Sequence, residues 1–466
     1  MKILLTHAYF IEEDTKEKQI MRPYVPLGIL SISAYLEQNG FDNDVYDSTF
    51  NSLDNLRQYL LEQCPDIIAI YTNLMTKLNV LKIIKFIRSD ERIKNKKIIL
   101  GGPEVRHHAE NFLSYGADII VIGEGEETML ELARMVENGK NNFEEITGIV
   151  YLGQDNKLIS TSERKLVRDI NELPFPNRKK IDLRKYAEAW KDKHGYSMFS
   201  VSTMRGCPYT CKWCSRAVYG GTYRRRKPSL VAEELQFLKK EYNPDMIWFV
   251  DDVFTISHKW LREFTDEVTK KDAKIPYEII SRSDRLNEEA FQLLKESGCV
   301  RIWIGAESGS QKIIDAMDRR VDVKEVREMI KLAKTYNIEA CTFIMLGYPG
   351  EEKQDIRETI NHLKESDPDL YTITIAYPIK GTPLYEETES RFPEKLDWET
   401  TTDRDIDFKR NHTRKFYEYG IRWVFNEVKL YKELARNNRS LVRLTYYKLK
   451  SITAQGGMWI ESLKTL

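Results

Sequence analysis

Short apolar runs alternate with stretches of helical apolar spacing along most of the chain. Over residues 1–154 this pattern predicts strands at 2–6, 44–47, 67–71, 97–100 and 119–122, and helices at 26–39, 53–63, 78–89, 110–115 and 128–137. The strands lack polar alternation and each is followed by a helix, which predicts a doubly wound, Rossmann-like parallel sheet covered on both faces. Residues 155–192 mix charge with Pro174, Phe175 and Pro176 and carry no sustained period, so they read as a linker, with Arg178, Lys179 and Lys180 as a solvated face. From 193 the alternation resumes, with strands at 198–203, 246–250, 277–280, 300–305, 340–346 and 372–376. Helices are predicted at 229–241, 257–270, 287–297, 311–317 with 323–336, and 352–366. Six strand–helix repeats predict a partial (β/α)6 TIM-type barrel over 193–390. Residues 391–466 read as an α-helical extension, with helices at 413–434 and 440–449.

Composition adds exclusions. A hydrophobic content of 41% with 31% charged residues is ordinary for a soluble globular α/β protein. The net charge is zero, so no global field recruits nucleic acid, and none is expected as a partner. The opening Met-Lys-Ile-Leu-Leu-Thr-His is too short an apolar run for a signal peptide, and no stretch approaches the roughly 18 apolar residues of a membrane span. A reducing cytoplasm is the expected compartment.

Against that background, Met204-Arg-Gly-Cys-Pro-Tyr-Thr-Cys-Lys-Trp-Cys-Ser215 places Cys207, Cys211 and Cys214 in one loop. Thiolates at this spacing favour iron–sulfur clusters, zinc or Cu(I). A closed zinc site needs a fourth protein ligand and no second knuckle is present; a disulfide is the other structural alternative. Cys64, Cys299 and Cys341 are scattered among apolar residues and read as small buried hydrophobes. The C-x3-C-x2-C spacing resembles that of the radical S-adenosylmethionine (SAM) superfamily. The resemblance implies a 4Fe-4S cluster on the three cysteines whose fourth iron chelates SAM. It also implies reductive cleavage of SAM to a 5'-deoxyadenosyl radical, with a flavodoxin- or ferredoxin-type electron donor.

Parallel barrels gather their sites at the carboxyl ends of the strands, and distinctive residues stand there. The second strand ends in Asp251-Asp252, where the resemblance implies contacts to the SAM amino group; capping of the following helix is the alternative role. The third ends in Ser281-Arg282, either of which the SAM carboxylate could meet, an arginine fork being suited to a carboxylate. The fourth ends in Glu307-Ser308-Gly-Ser, a run that resembles a subfamily marker, with Glu307 expected to accept ribose hydroxyls. The fifth carries Met345 before a glycine-bearing turn placed near adenine, and Trp213, between two cysteines, is expected near adenine as well. No general acid or base is named by the sequence. The run Tyr223-Arg-Arg-Arg226 reads as a loop bordering the cofactors in preference to a nucleic-acid patch.

In the first segment, ligands of such a sheet sit beyond the carboxyl ends of its strands. Thr72-Asn73, Gly101-Gly102 and Gly123-Glu124-Gly125 occupy those ends. Taken in order, Pro26-Leu27-Gly28, Gly101-Gly102-Pro103, Gly123-Glu-Gly-Glu-Glu127 and Ile146-Thr-Gly-Ile-Val-Tyr151 resemble the cobalamin-binding domain that precedes the barrel in one radical SAM subfamily, and Leu173-Pro-Phe-Pro176 resembles its crossover. The resemblance implies cobalamin held by these residues. The Asp-x-His-x-x-Gly motif that ligates cobalt from below is absent: the place reads Thr6-His7-Ala8-Tyr9-Phe10. His7 is expected as a hydrogen-bonded structural residue, and the cobalt as lacking a histidine below. His107 and His108, just past Gly101-Gly102, are not assigned as ligands either.

The chain as a whole is similar to the group containing the anaerobic magnesium-protoporphyrin monomethyl ester cyclase and cobalamin-dependent carbon methyltransferases. The expected reaction is methylation of an unactivated carbon; ring formation or oxidation without methyl transfer, and a non-catalytic cobalamin or metal sensor, are the alternatives. The substrate is expected to be a small or lipid-like molecule. Residues 439–464 carry five Lys or Arg against one acid, with Leu441, Leu444, Tyr446, Tyr447 and Leu449 interleaved. A helical cap packed on the barrel is the first reading of this segment; contact with a membrane surface is the second.

Overall fold

A computed structural model describes residues 1–140, 142–393, 396–436 and 439–464. The chain divides into two compact units. The first comprises Met1–Pro208, Ser215–Val250 and Asp397–Thr402. Its main sheet holds β1 (Ile3–His7), β2 (Asp44–Tyr46), β3 (Ile67–Tyr71), β4 (Lys97–Gly101), β5 (Ile119–Val121), β6 (Ile149–Leu152) and β7 (Leu158–Ser160). The order is β2-β1-β3-β4-β5-β6-β7. The first five strands are parallel, and β6 and β7 pair antiparallel. Strand order reverses between β1 and β3, the switch point where doubly wound sheets open a crevice. Leu4, Ile68, Ile70, Ile98 and Leu100 face one buried cluster, while Ile3, Leu5, Ile67, Ala69 and Ile99 face the other. Period-2 side chains buried on both faces are the reason these strands read as unbroken apolar runs.

Further along are β8 (Met198–Val201), the short antiparallel pair β9 (Met204–Arg205) and β10 (Arg224–Arg225), and β11 (Met246–Phe249). The segment Asp397–Thr402 also belongs to this unit. Trp398 packs edge-on against Phe112 and Tyr115, and the buried Lys77 ammonium lies 4.5 Å from its ring centre while donating to the Thr401 carbonyl at 2.6 Å.

The second unit comprises Tyr209–Cys214, Asp251–Leu396 and Asp403–Leu466. It carries β12 (Tyr277–Ser281), β13 (Cys299–Glu307), β14 (Glu339–Leu346) and β15 (Leu370–Ile375), each parallel to the next. Within this unit the strands stand in the order β12-β13-β14-β15. Against β14 and β15 packs the helix Arg414–Leu434, which also meets the helix Lys353–Ser366; the last helix, Leu441–Ser462, packs on Arg414–Leu434. Gly457 lies where the ring of Tyr419 passes: a Cβ there would stand 2.6 Å from it.

Three expectations change. The 155–192 segment contains a helix, Leu183–His194, capped by Asp182 and anchored by buried Leu183, Tyr186 and Trp190 at a helical spacing. Arg178 is not solvated: it is buried and pairs with the buried Glu234 at 2.8 Å, also donating to the Ser200 carbonyl. The last helix, expected to end at Leu449, continues to Ser462. Because removing one partner strands a buried charge, Arg178→Ala is expected to cost about 3–5 kcal/mol of stability, read from the urea midpoint and slope.

Candidate functional site

In the second unit the carboxyl ends of the strands meet the segment Tyr209–Cys214. Backbone bonds fix that segment: Lys212 N–H donates to the Met317 carbonyl at 3.1 Å, and Leu384 N–H donates to the Lys212 carbonyl at 3.0 Å. The Thr210 hydroxyl donates to Asp318 at 2.6 Å. Trp213 packs on a cluster of Ile313, Met317, Tyr348, Ala376 and Leu384 together with Met345, so two residues expected near adenine share one apolar wall.

Cys211 is buried, Cys214 exposed and Cys207 half-buried, and none is in a disulfide. Cys207 belongs to the first unit, where Gly206 before it has φ +83°. A Cβ on Gly206 would lie 2.4 Å from the Thr222 carbonyl oxygen, so glycine is required there. Among the described residues, no three His, Cys, Asp or Glu side chains are grouped to hold a single metal ion.

Two guanidinium groups converge on Cys211, with Arg282 Nη1 at 3.8 Å and Arg319 Nη1 at 3.7 Å from Sγ. Both are buried. Arg282 lies 3.8 Å over the Tyr209 ring, donates to Asp284 at 2.8 Å and to the Arg319 carbonyl at 2.8 Å. Its fork is therefore committed to protein groups and the Cys211 sulfur. Arg319 donates to the Gly305 carbonyl at 2.9 Å and stands 3.9 Å from Glu307. N–H donors and positive charge set around a sulfur suit a ligand of an iron–sulfur cluster, and the surroundings of Cys211 fit that role.

Glu307 ends β13 with φ +62°, a left-handed conformation uncommon outside glycine, and pairing with β14 shifts register between Gly305 and Glu307. Burial pushes its carboxyl above the usual range, opposed by Arg319 and then Arg282. Beyond it, the Gly309 N–H donates to the Thr359 hydroxyl at 2.9 Å, and the Ser310 hydroxyl donates to Asp355 at 2.7 Å. The Ser308 hydroxyl lies 3.3 Å from that of Thr359. The Glu-Ser-Gly-Ser run is thus stitched to the start of the helix Lys353–Ser366, with Gly309 allowing an approach that a Cβ, 2.5 Å from the Glu358 carbonyl oxygen, would block.

Asp251 is buried, and Asp252, though solvent-accessible, is crowded by protein; burial and then the neighbouring Asp251 raise its carboxyl. Neither caps the next helix, whose cap is Ser257. The Ser281 hydroxyl bonds that of Thr255. Beyond β14, Gly347 and Gly350 both have positive φ, and the fully buried Glu351 carboxylate accepts the Gly347 N–H at 2.5 Å.

In the first unit the expected strand-end residues converge. Thr72 N–H donates to the Gly101 carbonyl at 2.7 Å; Gly102, at φ +109°, would put a Cβ 2.4 Å from the Thr72 carbonyl oxygen. Pro26 precedes the helix Leu27–Gln38, in whose first turn Gly28 faces the Tyr71 ring. Asn73 turns its side chain inward to accept from the Met75 and Thr76 N–H groups at 3.0 Å. At Gly28, Gly101 and Gly123 a Cβ would make only ordinary van der Waals contact, at 3.7 Å or more, so protein packing does not require glycine there, and the room a missing Cβ leaves fits a bulky cofactor. Gly125 differs: a Cβ there would lie 2.9 Å from Ile32.

Glu124 departs from this group. Its carboxylate accepts from Arg205 and Arg224, each at 2.7 Å, and from the Val167 N–H at 2.7 Å. With Arg225 donating to the Thr203 hydroxyl and Arg226 to the Pro174 carbonyl, all three arginines of the 223–226 run have partners inside this unit. His7 is engaged on both ring nitrogens: Nδ1 accepts the Tyr9 N–H at 3.2 Å, so Nε2 carries the proton donated to Asp47 at 3.0 Å. Burial opposes ionisation of Asp47, but hydrogen bonds from His7 and Thr49 hold its carboxyl below the usual range.

Sequence reasoning passed over Arg319, which falls in the turn between two predicted helices. The signal available was the run Asp318-Arg319-Arg320, where adjacent charges end the apolar spacing of Ile313, Ile314 and Met317.

Comparison with known proteins agrees with these features. The family model described as "Radical SAM superfamily" matches residues 201–363, and that described as "B12 binding domain" matches residues 21–133. An uncharacterized methyltransferase of Pyrococcus horikoshii is 27% identical over 370 residues, 78% of each chain. The anaerobic magnesium-protoporphyrin IX monomethyl ester cyclase of Rubrivivax gelatinosus is 25% identical over 404 residues, covering 83% of this chain and 70% of that one. The solved structure of the cobalamin-dependent S-adenosylmethionine radical enzyme OxsB with aqua-cobalamin bound shares the fold. Its TM-score is 0.77 at 16% identity, over 97% of this chain and 72% of that chain.

Two expectations follow. Arg319→Gln removes a positive charge beside Cys211, so the cluster should become harder to reduce, its midpoint potential moving to more negative values in an EPR-monitored titration. Burial raises the Glu351 carboxyl from 4.5 to about 8. The folded protein keeps this proton where the unfolded chain has released it, so stability falls as pH rises from about 4.5 to about 8. Glu351→Gln should flatten that part of the stability–pH curve measured by urea unfolding.

Proposed function

The chain belongs to the B12-binding radical SAM family, and from that premise we propose that it transfers a methyl group to an unactivated carbon of a small or lipid-like substrate. When bound, the 4Fe-4S cluster, SAM and cobalamin supply one-electron cleavage of SAM and a methyl group carried on cobalt. The chain's own residues bind and orient these groups. Cys207, Cys211 and Cys214 would ligate the cluster, with the Arg282 and Arg319 guanidinium groups setting positive charge and N–H donors beside the Cys211 sulfur. Asp251 and Asp252 receive the SAM ammonium, Glu307 the ribose, and Trp213 with Met345 walls the adenine. Gly28, Gly101, Gly102 and Gly123, with Thr72, offer backbone to cobalamin. A flavodoxin- or ferredoxin-type protein supplies the electron.

The observation that carries methyl transfer is His7. With its protonated Nε2 held on Asp47 and its Nδ1 on the Tyr9 N–H, it has no lone pair left for a metal. Bound cobalamin would supply methyl-transfer chemistry, and His7, committed to Asp47 and Tyr9, would not be among the residues that hold it. The relative from Pyrococcus horikoshii, described as a methyltransferase, supports the same direction.

Anaerobic turnover with methyl-labelled SAM tests the reading. Methylation predicts 5'-deoxyadenosine and S-adenosylhomocysteine together, with label in the product. Deoxyadenosine alone would replace it by ring formation or oxidation, and failure of the reduced, cluster-loaded protein to cleave SAM would leave a binding protein.

A further inference from the structure

The last helix, Leu441–Ser462, presents a face that nothing in its unit covers. Its inner side buries Ser451, Ala454, Met458 and Glu461. On the opposite side Val442, Tyr446, Leu449, Ile452, Trp459 and Ile460 are each more than half exposed, from 51% to 80%. Val442, Tyr446, Leu449 and Ile460 stand at i, i+4, i+7 and i+18, so at 3.6 residues per turn they form one seam running almost the length of the helix. At Gly456 a Cβ would meet no protein atom within 4 Å, so the seam is open at its middle too.

Charge is distributed around this seam with one sign. Arg443, Lys448 and Lys450 stand at its edges and are exposed, and the Lys450 ammonium lies 4.5 Å from the Tyr446 ring centre. The one acid of the helix, Glu461, is turned inward, where it accepts from the Thr413 hydroxyl at 2.8 Å and from Lys464 at 2.6 Å. Glu433, on the helix beneath, is also buried, and accepts from Arg436 and from the Ser440 N–H at 3.0 Å each. The outward face of this helix is therefore mainly aliphatic and aromatic, with the exposed Thr445, Thr453 and Gly456 between the apolar side chains, and it is bordered by cations with no acid of its own. No described helix is long and apolar enough to cross a bilayer.

We propose that the last helix docks on an anionic lipid membrane, its Val442–Ile460 seam immersed at the headgroup–acyl boundary. Lys448 and Lys450, on opposite flanks, reach up to lipid phosphates while their alkyl stems stay with the apolar face. Tyr446 and Trp459 take the interfacial position that such rings favour. The second reading of the basic C-terminal segment becomes the favoured one because the cap on the sheet is made by the helix Arg414–Leu434, leaving the last helix as an outer layer. This inference does not depend on which reaction the barrel catalyses.

Co-sedimentation of the full-length protein with vesicles tests it. Vesicles of phosphatidylglycerol and phosphatidylcholine should carry the chain down, pure phosphatidylcholine vesicles should hold much less, and the difference should shrink as salt rises. The double variant Lys448→Gln/Lys450→Gln should lower binding to the anionic vesicles by roughly tenfold or more. Leu449→Glu/Ile460→Glu should abolish binding to both. These side chains point to solvent, so unchanged far-ultraviolet circular dichroism is expected for both variants. Protein that stays in the supernatant with anionic vesicles at low salt overturns the proposal. So does light scattering that shows a dimer dispersed by Leu449→Glu/Ile460→Glu, which would give the face to a second copy of the chain.

Discussion

Two guanidinium groups held on one sulfur constrain much of the second unit. For Arg319 to reach both Cys211 and the Gly305 carbonyl, its Nη2 must pass where a side chain at 305 would begin: a Cβ there would stand 2.2 Å away. The absent Cβ at 305, the register shift after it and the left-handed Glu307 thus belong to one arrangement. β13 bends out of its ladder so that a carboxylate faces the arginine that faces the cysteine. Strain of about 1–3 kcal/mol at a non-glycine left-handed residue persists only where surroundings dictate it, and here Arg319, Arg282 and the bonds to Thr359 do so.

The first unit answers a different demand. Its strand ends must be bare where a wide cofactor lies and closed elsewhere. Gly28, Gly101 and Gly123 leave room where a side chain would begin, while Glu124, the residue next to Gly123, is sealed by Arg205, Arg224 and the Val167 N–H. His7 follows the second pattern, since Asp47 ties it to the edge of the sheet and is itself held by the Tyr186 hydroxyl at 2.8 Å.

What the sequence made legible follows from what residue spacing encodes. Buried parallel strands and amphipathic helices are local patterns, so the order of elements, the three cysteines and the strand-end glycines could be read directly. Tyr186 and Trp190 were hidden because charged residues surround them, although Leu183, Tyr186 and Trp190 lie at i, i+3 and i+7. Arg178 and Arg319 were misread or missed for a common reason. A cation's burial depends on a distant partner, Glu234 in one case and Cys211 with Glu307 in the other, and no local pattern marks such a pair. The same holds for Glu124, whose glycine neighbours pointed to a ligand while its own partners come from residues 167, 205 and 224.

Trp398 has a consequence for the order of events during synthesis. The wall it completes, with Phe112, Tyr115 and the ammonium of Lys77, belongs to the unit that begins at residue 1, yet Trp398 arrives about 280 to 320 positions after them. Domains generally fold from the amino terminus as they emerge. Here the amino-terminal unit leaves the ribosome with an apolar gap and a buried-to-be lysine still in water, and it closes only once the whole barrel sequence has followed it out. A nascent chain stalled before residue 397 is thus a distinct species, one that exposes Phe112 and Tyr115 to whatever helper proteins watch the exit port.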